Sequence, residues 1–200
     1  MFWIIALLAM QWGMEPMSNR EITTPASAIP KVRAAEKQEM DWINDCYDQV
    51  EFIHSHFENE IIAIAEFNGE KAGLGRLVKV DENHLELGGM YVFESFRGKG
   101  IAKEIVNFLL IHVKPSQTVY CIPFEHLLHF YKQCGFTHCS NFESVPPKIL
   151  DKYRWCQEKY AHPTALLVLE SNNCKKEYVW KMALPKNQIA FQIKRSRTAS

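Results

Sequence analysis

The segment from residue 84 to residue 113 passes from a strand, through a basic loop that contains glycine, directly into a helix. The alternation of polar and apolar residues over 84–87 predicts a half-buried strand. Gly88 and Gly89 inside that strand predict a β-bulge or a close approach of backbone. The apolar residues after Gly100 lie on one face of a helix that ends before Pro115; they are Ile101, Ala102, Ile105, Val106, Leu109, Leu110 and Val113. The fold must therefore combine strands and helices around one loop.

The loop before this helix has the features of an anion site. Gly98 and Gly100 allow the backbone to approach an anion without a Cβ in the way. The amide N–H groups at a helix start carry partial positive charge, which suits a phosphate or a pyrophosphate. Arg97 and Lys99 add full positive charges. The residues of the loop alone are equally compatible with a plain strand–helix turn whose basic side chains are solvated.

Length and composition indicate one soluble globular domain. A chain of 200 residues can bury a sizeable core, and 47% apolar and 12% aromatic residues are ordinary values for such proteins. The 23 Lys and Arg residues balance the 23 Asp and Glu residues. Because no overall charge favours nucleic acid or an anionic membrane, we expect neither as a partner.

The six cysteines are scattered and include no C-x-x-C pair, which predicts a reducing compartment rather than a disulfide framework. We therefore expect a cytoplasmic location. Cys134, His138 and Cys139 resemble part of a zinc site but lack a second ligand pair at a suitable spacing, so no metal is expected.

The N-terminal residues 1–30 are predicted to be a lead-in outside the fold. The apolar stretch 2–10 is too short to span a bilayer, and no basic residue precedes it as in a signal peptide. Two interpretations stay open. Either translation starts naturally at Met10, Met14 or Met17, or the apolar stretch packs on the domain or on a partner.

Periodicity and turn residues predict the order of the remaining elements. Three successive antiparallel strands cover 60–67, 71–80 and 84–92, and Asn68–Gly69 joins the first two as a tight hairpin. This meander argues against a Rossmann unit. Further strands are predicted at 31–35, 118–122, 136–142 and 164–169, and further helices at 38–52, 124–134 and 147–160. Residues 173–200 are predicted to be a C-terminal extension, with a strand at 178–184 and a basic disordered tail at 194–200.

This order and two motifs together resemble the GNAT superfamily of N-acetyltransferases. Val92 followed by 97–102 resembles the R/Q-x-x-G-x-G/A pyrophosphate loop of that family, and Tyr131 to Phe136 is similar to its Y-x-x-x-G-F segment. The resemblance implies an α/β (α+β) domain over residues 31–172. It also implies a mixed, mostly antiparallel sheet flanked by helices, whose central parallel strands splay apart.

The resemblance further implies that acetyl-CoA is the donor substrate and enters between the splayed strands. Backbone groups of Tyr91 and Val92 would pair with the pantetheine amides. The pyrophosphate would be held by the loop residues Arg97, Gly98, Lys99, Gly100, Ile101 and Ala102. An amine acceptor is the second implied partner, and a homodimer is left open.

Two residues are candidates for the chemistry. By the resemblance, Tyr131 matches a tyrosine that often protonates the departing thiolate; the alternative is a core aromatic whose hydroxyl bonds to backbone. Glu86 matches a position where some members place a catalytic glutamate, and would take the proton of the amine through water, with a raised pKa in a partly buried cleft. A solvent-facing strand glutamate is its alternative. His84 is a weaker candidate base.

The chain departs from the family pattern at two positions. Val119 and Phe124 stand where many relatives carry a glutamate on the fifth strand and an asparagine at the start of the next helix. This departure weakens base catalysis from the fifth strand and favours Glu86 or an amine that is already deprotonated. It also removes one hydrogen bond to the cofactor.

The expected reaction is direct transfer of an acetyl group to a primary amine of a small or amino-acid-like acceptor within a ternary complex. A protein lysine or N-terminus is an alternative acceptor, and a non-catalytic acyl-CoA-binding module is an alternative function. A basic residue on the late helix would pair with a carboxylate of the acceptor. The candidates for this basic residue are Lys148, Lys152 and Arg154. The candidates for the acceptor wall, the side of the site against which the acceptor would bind, are Trp42, Tyr47, Phe57, Phe124 and Trp155.

Overall fold

The computed structural model describes residues 29–170, which form one mixed sheet with helices on both faces. Its strands are β1 (Lys31–Ala34), β2 (Glu60–Phe67), β3 (Glu70–Lys79), β4 (His84–Val92), β5 (Thr118–Cys121), β6 (Thr137–His138) and β7 (Leu167–Leu169). Its α-helices are α1 (Met40–Asp48), α2 (Ile101–Leu110), α3 (Leu128–Gln133) and α4 (Pro147–Lys159). Of the lead-in predicted over 1–30, residues 1–28 lie outside the described residues, as do the strand predicted at 178–184 and the tail predicted at 194–200.

The strands are arranged in the order β1-β2-β3-β4-β5-β7-β6, and every neighbouring pair is antiparallel except β4–β5. The tight hairpin between β2 and β3 is confirmed, because Asn68 and Gly69 both have positive φ, as a type I′ turn requires. The predicted fold class, a mostly antiparallel sheet with one central parallel pair and flanking helices, is confirmed.

The parallel pair β4–β5 is short and then separates. Its register runs from His84 opposite Thr118 to Leu87 opposite Cys121. Strand β5 ends there, whereas β4 continues to Val92 along β3. The part of β4 beyond Leu87 therefore has an edge that β5 does not cover, as the splayed arrangement predicts.

A β-bulge occurs in β4 at the predicted position. Leu74 of β3 lies opposite Tyr91 but Arg76 lies opposite Gly88, so β4 contains one extra residue between the two pairs. Gly89 in the bulge has a φ of +59°, and the Tyr47 hydroxyl of α1 donates a hydrogen bond to its carbonyl at 3.0 Å. The bulge is thus tied to the helix on the opposite side of the sheet from α2.

The two faces of the sheet are covered by different helices. Alternating residues of β2 show this, since Ala63 and Ala65 pack in the cluster beneath α2 while Ile62 and Ile64 pack against α1. Helix α4 covers the far end of the α1 face, where Ile149 packs with Tyr120 of β5. Among residues 29–170, no helix combines the length and apolar character that crossing a membrane demands.

Helix α1 is shorter than the predicted helix over 38–52. It ends at Asp48 because Glu51 takes a left-handed conformation, with a φ of +54°. The Phe52 N–H bonds to the Tyr47 carbonyl at 2.9 Å and the Glu51 N–H bonds to the Asp48 carbonyl at 3.2 Å. This is the Schellman arrangement, in which glycine usually takes the left-handed position. A glutamate there gives no sequence signal for the helix end.

Three later elements are also shorter than predicted. The strand expected over 164–169 is β7 alone, because Thr164 forms only an isolated bridge with Phe124 and the Ala165 N–H bonds to the Pro123 carbonyl at 3.0 Å. The helix expected over 124–134 is a 3₁₀ turn at Glu125–Leu127 followed by α3. The strand expected over 136–142 is reduced to β6, because the Asn141 side chain accepts the Glu143 N–H at 3.2 Å and starts a 3₁₀ turn. Side-chain capping by asparagine competes with strand pairing.

Candidate active site

A cleft opens where β4 and β5 separate and encloses about 730 Å³ of space that continues to the solvent. The ends of both strands, α3 and α4 line it. A concave site with a few convergent polar groups is the usual form of a ligand pocket. Its polar lining side chains include Arg76, Glu86, Cys121, Tyr131, Lys152 and Thr164.

Glu86 lies inside this cleft and is not a solvent-facing strand residue. Its side chain is only 9% exposed, and the Lys152 Nζ of α4 lies 2.5 Å from its Oε1. Lys152 is half-buried, with 28% of its side chain exposed. A carboxylate removed from water needs such a partner, so the pair fixes α4 against β4 at the cleft.

Tyr131 is buried in the same cleft, with 5% of its surface exposed. Burial raises the pKa of Tyr131 well above its usual range, and the adjacent Cys121, which is hydrogen-bonded to the hydroxyl, adds to the effect. Burial likewise raises the pKa of the Cys121 thiol. Both groups are therefore protonated at neutral pH. The partner of the hydroxyl is a thiol, not a backbone group as in the core-aromatic alternative.

The structure brings Glu86, Tyr131 and Lys152 together around Cys121. The Cys121 thiol is hydrogen-bonded to Tyr131 and is close enough to Glu86 and Lys152 for their charges to act on its pKa. Glu86 and Cys121 occupy consecutive rows of the parallel pair, because Leu87 lies opposite Cys121. Sequence reasoning missed Cys121. The available signal was its position near the end of the strand predicted over 118–122, shortly before Pro123.

The glycine loop leads into α2 as predicted. Gly98 and Gly100 have φ values of +76° and +78°, and a Cβ built on either would meet nothing within 4 Å. Glycine is therefore required there for backbone conformation. The Gly100 carbonyl accepts the N–H groups of Lys103 and Glu104, at 3.1 and 3.3 Å. Within the described part of the chain, the N–H groups of residues 100–102 have no acceptor, so they are available to an anion.

The basic side chains of the loop are exposed and rest on nearby groups. The Lys99 Nζ lies 5.0 Å from the ring centres of Phe67 and Phe96. The Arg97 Nε donates to the Val92 carbonyl at 3.3 Å. The Arg97 guanidinium is thus hydrogen-bonded to a backbone carbonyl of β4, at one of the two residues that the family resemblance assigns to pantetheine binding.

The aromatic candidates for the acceptor wall divide into two groups. Phe124 and Trp155 line the cleft, and Tyr160, which sequence reasoning missed, lies between them at ring distances of 5.3 and 5.9 Å. Trp42 and Tyr47 are not part of the lining: Trp42 packs on Phe93, and Tyr47 is fully buried at the bulge. Phe57, in a 3₁₀ turn, is also outside the lining.

Arg76 is a second cation at the cleft that sequence reasoning missed. It is 4% exposed and donates through Nη1 to the Ser55 hydroxyl at 2.7 Å and through Nη2 to the Ile53 carbonyl at 2.9 Å. Its guanidinium also lies 4.8 Å from the centre of the Tyr47 ring. A basic residue in the middle of an apolar strand resembles an ordinary exposed strand residue, so the sequence gives no sign of its burial.

The other predicted basic and acid–base positions lie away from the cleft or face the core. Lys148 and Arg154 are exposed, so only Lys152 of the three α4 candidates lines the cleft in the described chain. The His84 Nδ1 lies 2.9 Å from the Asp81 carboxylate at the opposite end of β4. Val119 is fully buried beneath α2 and supplies no proton-transfer group. Residues 29–170 hold no group of three or more potential metal ligands.

Comparison with known proteins links this geometry to one family. The model of the acetyltransferase (GNAT) family matches residues 29–136. A comparison with curated protein sequences finds no significant match.

Several solved structures share the fold. N-acetylglutamate synthase from Neisseria gonorrhoeae, complexed with coenzyme A and L-arginine, has a TM-score of 0.56 and 14% identity over 72% of this chain and 33% of its own. The chain thus spans about a third of that protein. A Mycobacterium tuberculosis protein complexed with CoA has a TM-score of 0.55 and 19% identity over 70% of this chain and 98% of its own. A chimera of the Vibrio cholerae spermidine N-acetyltransferase has a TM-score of 0.52 and 14% identity over 74% and 99%.

Proposed function

The chain belongs to the GNAT family of acetyltransferases, and we propose that it transfers the acetyl group of acetyl-CoA to the primary amine of a small, amino-acid-like acceptor. The family match covers residues 29–136 and supports a CoA-dependent acetyltransferase. The observation that carries the proposal is the cleft at the β4–β5 separation, which holds Glu86, Tyr131 and Lys152 in one space. We further propose that acceptor and acetyl-CoA are bound together, so that the amine attacks the thioester directly.

The loop before α2 and the uncovered edge of β4 would hold the donor. Free N–H groups of residues 100–102 at the helix start suit the pyrophosphate, and Arg97 and Lys99 are near enough to add charge. Backbone groups of Tyr91 and Val92 would pair with the pantetheine amides. Binding would require Arg97 to leave the Val92 carbonyl, and the guanidinium would then be available to the phosphates.

The chemistry requires removal of a proton from the amine and delivery of a proton to the CoA sulfur. Glu86 is proposed as the acceptor of the first proton, since its carboxylate is already hydrogen-bonded to a primary amine in the cleft. Tyr131 is proposed as the donor of the second, because burial raises its pKa and keeps its hydroxyl protonated until the thiolate forms.

Two cations and the aromatic side chains support an amino-acid-like acceptor. Arg76 and Lys152 line the cleft beside Glu86, and each is paired with a carboxylate, Arg76 with Glu60 at 3.7 Å and Lys152 with Glu86. An acceptor carboxylate that replaced one of these partners would gain a charge-assisted contact, and its amine would then have access to Glu86. Phe124, Trp155 and Tyr160 provide apolar surface for the remainder of the molecule.

The domain boundaries, the location and the partners are proposed from the sequence. We place the domain boundaries at residues 31 and 172. A cytoplasmic location is proposed from the scattered cysteines. Nucleic acid and membranes are not proposed as partners, because the chain has no net charge.

The test combines binding with turnover. Calorimetric titration measures the affinity for CoA and acetyl-CoA, and a panel of amino acids, polyamines and peptides measures acceptor preference. Tyr131→Phe is expected to lower kcat by about 10²- to 10⁴-fold and to leave the dissociation constant of CoA unchanged. Tyr153→Phe, which removes a hydroxyl from a half-buried α4 tyrosine outside the cleft, is the matched control.

Three outcomes would contradict parts of this function. No binding of CoA would remove the donor assignment, and turnover on peptides alone would replace the small acceptor by a protein amine. CoA binding without any turnover would favour a non-catalytic acyl-CoA-binding module. The pairing of Glu86 with Lys152, and Val119 in place of an acidic residue, are the observations that favour that second candidate.

A further inference from the structure

We propose that Lys152 occupies the position of the acceptor amine and is itself acetylated by the protein from acetyl-CoA. The acetylation of Lys152 rests on the proposed function, because it uses the same donor and the same proton-transfer groups. It goes beyond that function by assigning a self-modification site on α4.

The placement of Lys152 is the first support. Its Nζ lies 2.5 Å from the Glu86 Oε1, in the position that the proposed mechanism requires of an amine about to lose a proton. Other lysines of α4 are directed elsewhere: Lys148 is exposed, and the Lys159 Nζ donates to the Glu51 carbonyl at 3.1 Å. Within the described chain, Lys152 is the lysine that lines the cleft.

The second support is that the proposed acid is part of the same cluster. Tyr131 is hydrogen-bonded to the Cys121 thiol, and Cys121 is within electrostatic reach of both Glu86 and Lys152. Glu86 and Cys121 lie on adjacent strands, one row apart. Tyr131 and Lys152 both line the cleft. A thioester that enters the cleft to reach Tyr131 would therefore share that space with the Lys152 side chain.

The third support is that the Lys152 amine can be reached from the cleft but is not fully exposed to water. The Lys152 side chain is 28% exposed, so its amine is open to the cleft yet shielded from bulk water. A fully exposed lysine gains nothing from the positioned carboxylate and hydroxyl. A positioned amine gains from proximity to its reaction partner.

The step balances as an ordinary acyl transfer. The Lys152 ammonium gives one proton to Glu86, and the free Nζ attacks the thioester carbon, so that a C–N bond forms and the C–S bond breaks. Tyr131 protonates the departing CoA sulfur. The second proton lost by the nitrogen restores the tyrosine through solvent, and the proton on Glu86 returns to water. The products are N-acetyl-lysine and CoA thiol.

Acetylation would change the cleft. It removes the positive charge of Lys152 and with it the ion pair to Glu86. It also places an acetamide where the acceptor amine would enter. A bound small acceptor is therefore expected to compete with Lys152 and to slow its modification.

The experiment is peptide mapping by mass spectrometry of the wild-type full chain incubated with isotope-labelled acetyl-CoA. Lys152 is expected to be acetylated at least about tenfold faster than Lys148 in the same molecules, with a first-order rate constant independent of protein concentration. Tyr131→Phe is expected to slow the modification of Lys152 by about 10²-fold or more. The variant Lys148→Arg, at an exposed position one turn away on α4, is expected to leave that modification unchanged.

Equal rates at Lys152 and Lys148, or a rate at Lys152 unaffected by Tyr131→Phe, would overturn the inference. A rate constant that rises with protein concentration would overturn it as well, because transfer would then occur between molecules. CoA titration and the small-amine panel on the same samples distinguish failure of this inference from failure of the proposed function. Acetylation of a small amine with Lys152 unmodified overturns this inference alone, whereas failure to bind CoA removes the proposed function too.

Discussion

Replacing Gly89 by alanine tests whether the β4 bulge depends on close contact with α1. A Cβ at this position would lie 2.5 Å from the Tyr47 hydroxyl oxygen and 3.0 Å from the Arg76 Nε. Gly89 also has a φ of +59°, which disfavours any residue with a side chain. Gly89→Ala therefore combines backbone strain with displacement of the Tyr47 hydroxyl from the Gly89 carbonyl.

The expected loss of stability is the sum of the backbone strain and the lost hydrogen bond. The left-handed conformation costs alanine about 1 to 2 kcal/mol relative to glycine. Tyr47 is fully buried, so a hydroxyl that loses its acceptor costs about 1 to 3 kcal/mol more. Gly89→Ala is thus expected to lower the free energy of unfolding by about 2 to 5 kcal/mol. The melting temperature of a domain of this size falls by about 2 to 4 °C for each kcal/mol of stability lost.

The matched control is Gly69→Ala. Gly69 has a φ of +84°, and a Cβ there would meet nothing within 4 Å. This variant should therefore show the conformational cost of about 1 to 2 kcal/mol alone. Urea unfolding followed by fluorescence measures both variants. Equal losses of stability in the two variants would refute the role of the Tyr47 contact.

Three further predictions concern the loop, the acid and a surface ion cluster. Gly100→Ala places a side chain at a φ of +78°, so the free loop is expected to relax out of the conformation that presents its N–H groups. Restoring that conformation on binding should raise the dissociation constant of CoA by about 5- to 30-fold, while Gly69→Ala leaves it unchanged; calorimetry checks both. A pH–rate profile should show no alkaline limb below about pH 10, because burial raises the pKa of Tyr131 and the acid must be protonated; a limb near pH 8 that Tyr131→Phe abolishes would contradict this. The Arg33 guanidinium lowers the pKa of Glu39, so the stability from this carboxylate is present above about pH 4.5 and is lost as the pH falls below it. Glu39→Gln should cost about 1 to 2 kcal/mol at pH 7, reduced by the exposure of Arg33, and progressively less in acid; a pH-independent cost would contradict the assignment.

The order of strands and helices could be predicted because it depends on local signals. Asn68–Gly69 specifies a hairpin by the two positive φ values that a type I′ turn needs, and the alternation over 84–87 specifies a half-buried strand. The paired glycines in β4 predicted the bulge for a similar reason, since glycine weakens a regular strand and marks a bulge or a close approach of backbone.

The ends of elements were less predictable. Glu51 takes a left-handed position that glycine usually fills, and Asn141 starts a 3₁₀ turn in place of a strand. Local hydrogen bonds decide both conformations. The glutamate gives no sequence signal, whereas Asn141 is an ordinary capping residue whose signal competes with the strand pattern around it.

The candidate site was only partly predictable. Glu86 and Tyr131 were named from the family resemblance, and their roles stay predictions. Arg76, Cys121 and Tyr160 were missed, because each comes to the cleft through sheet register or helix packing between segments distant in sequence. Single-sequence patterns report which face of an element is buried, but not which buried faces meet.

The short parallel ladder between β4 and β5 divides the sheet into two units that differ in how they are assembled. Strands β1 to β4 pair with near neighbours in sequence, whereas β5, β6 and β7 form a smaller set joined to them by four ladder rows. Amide hydrogen exchange should be faster along those rows than along the β2–β3 ladder, since a short ladder opens with less free energy. A ligand that contacts both units would raise the stability of the smaller one the most, because it binds only when the rows are closed. Protection of the backbone of β5 and β7 against exchange would then report occupancy of the cleft.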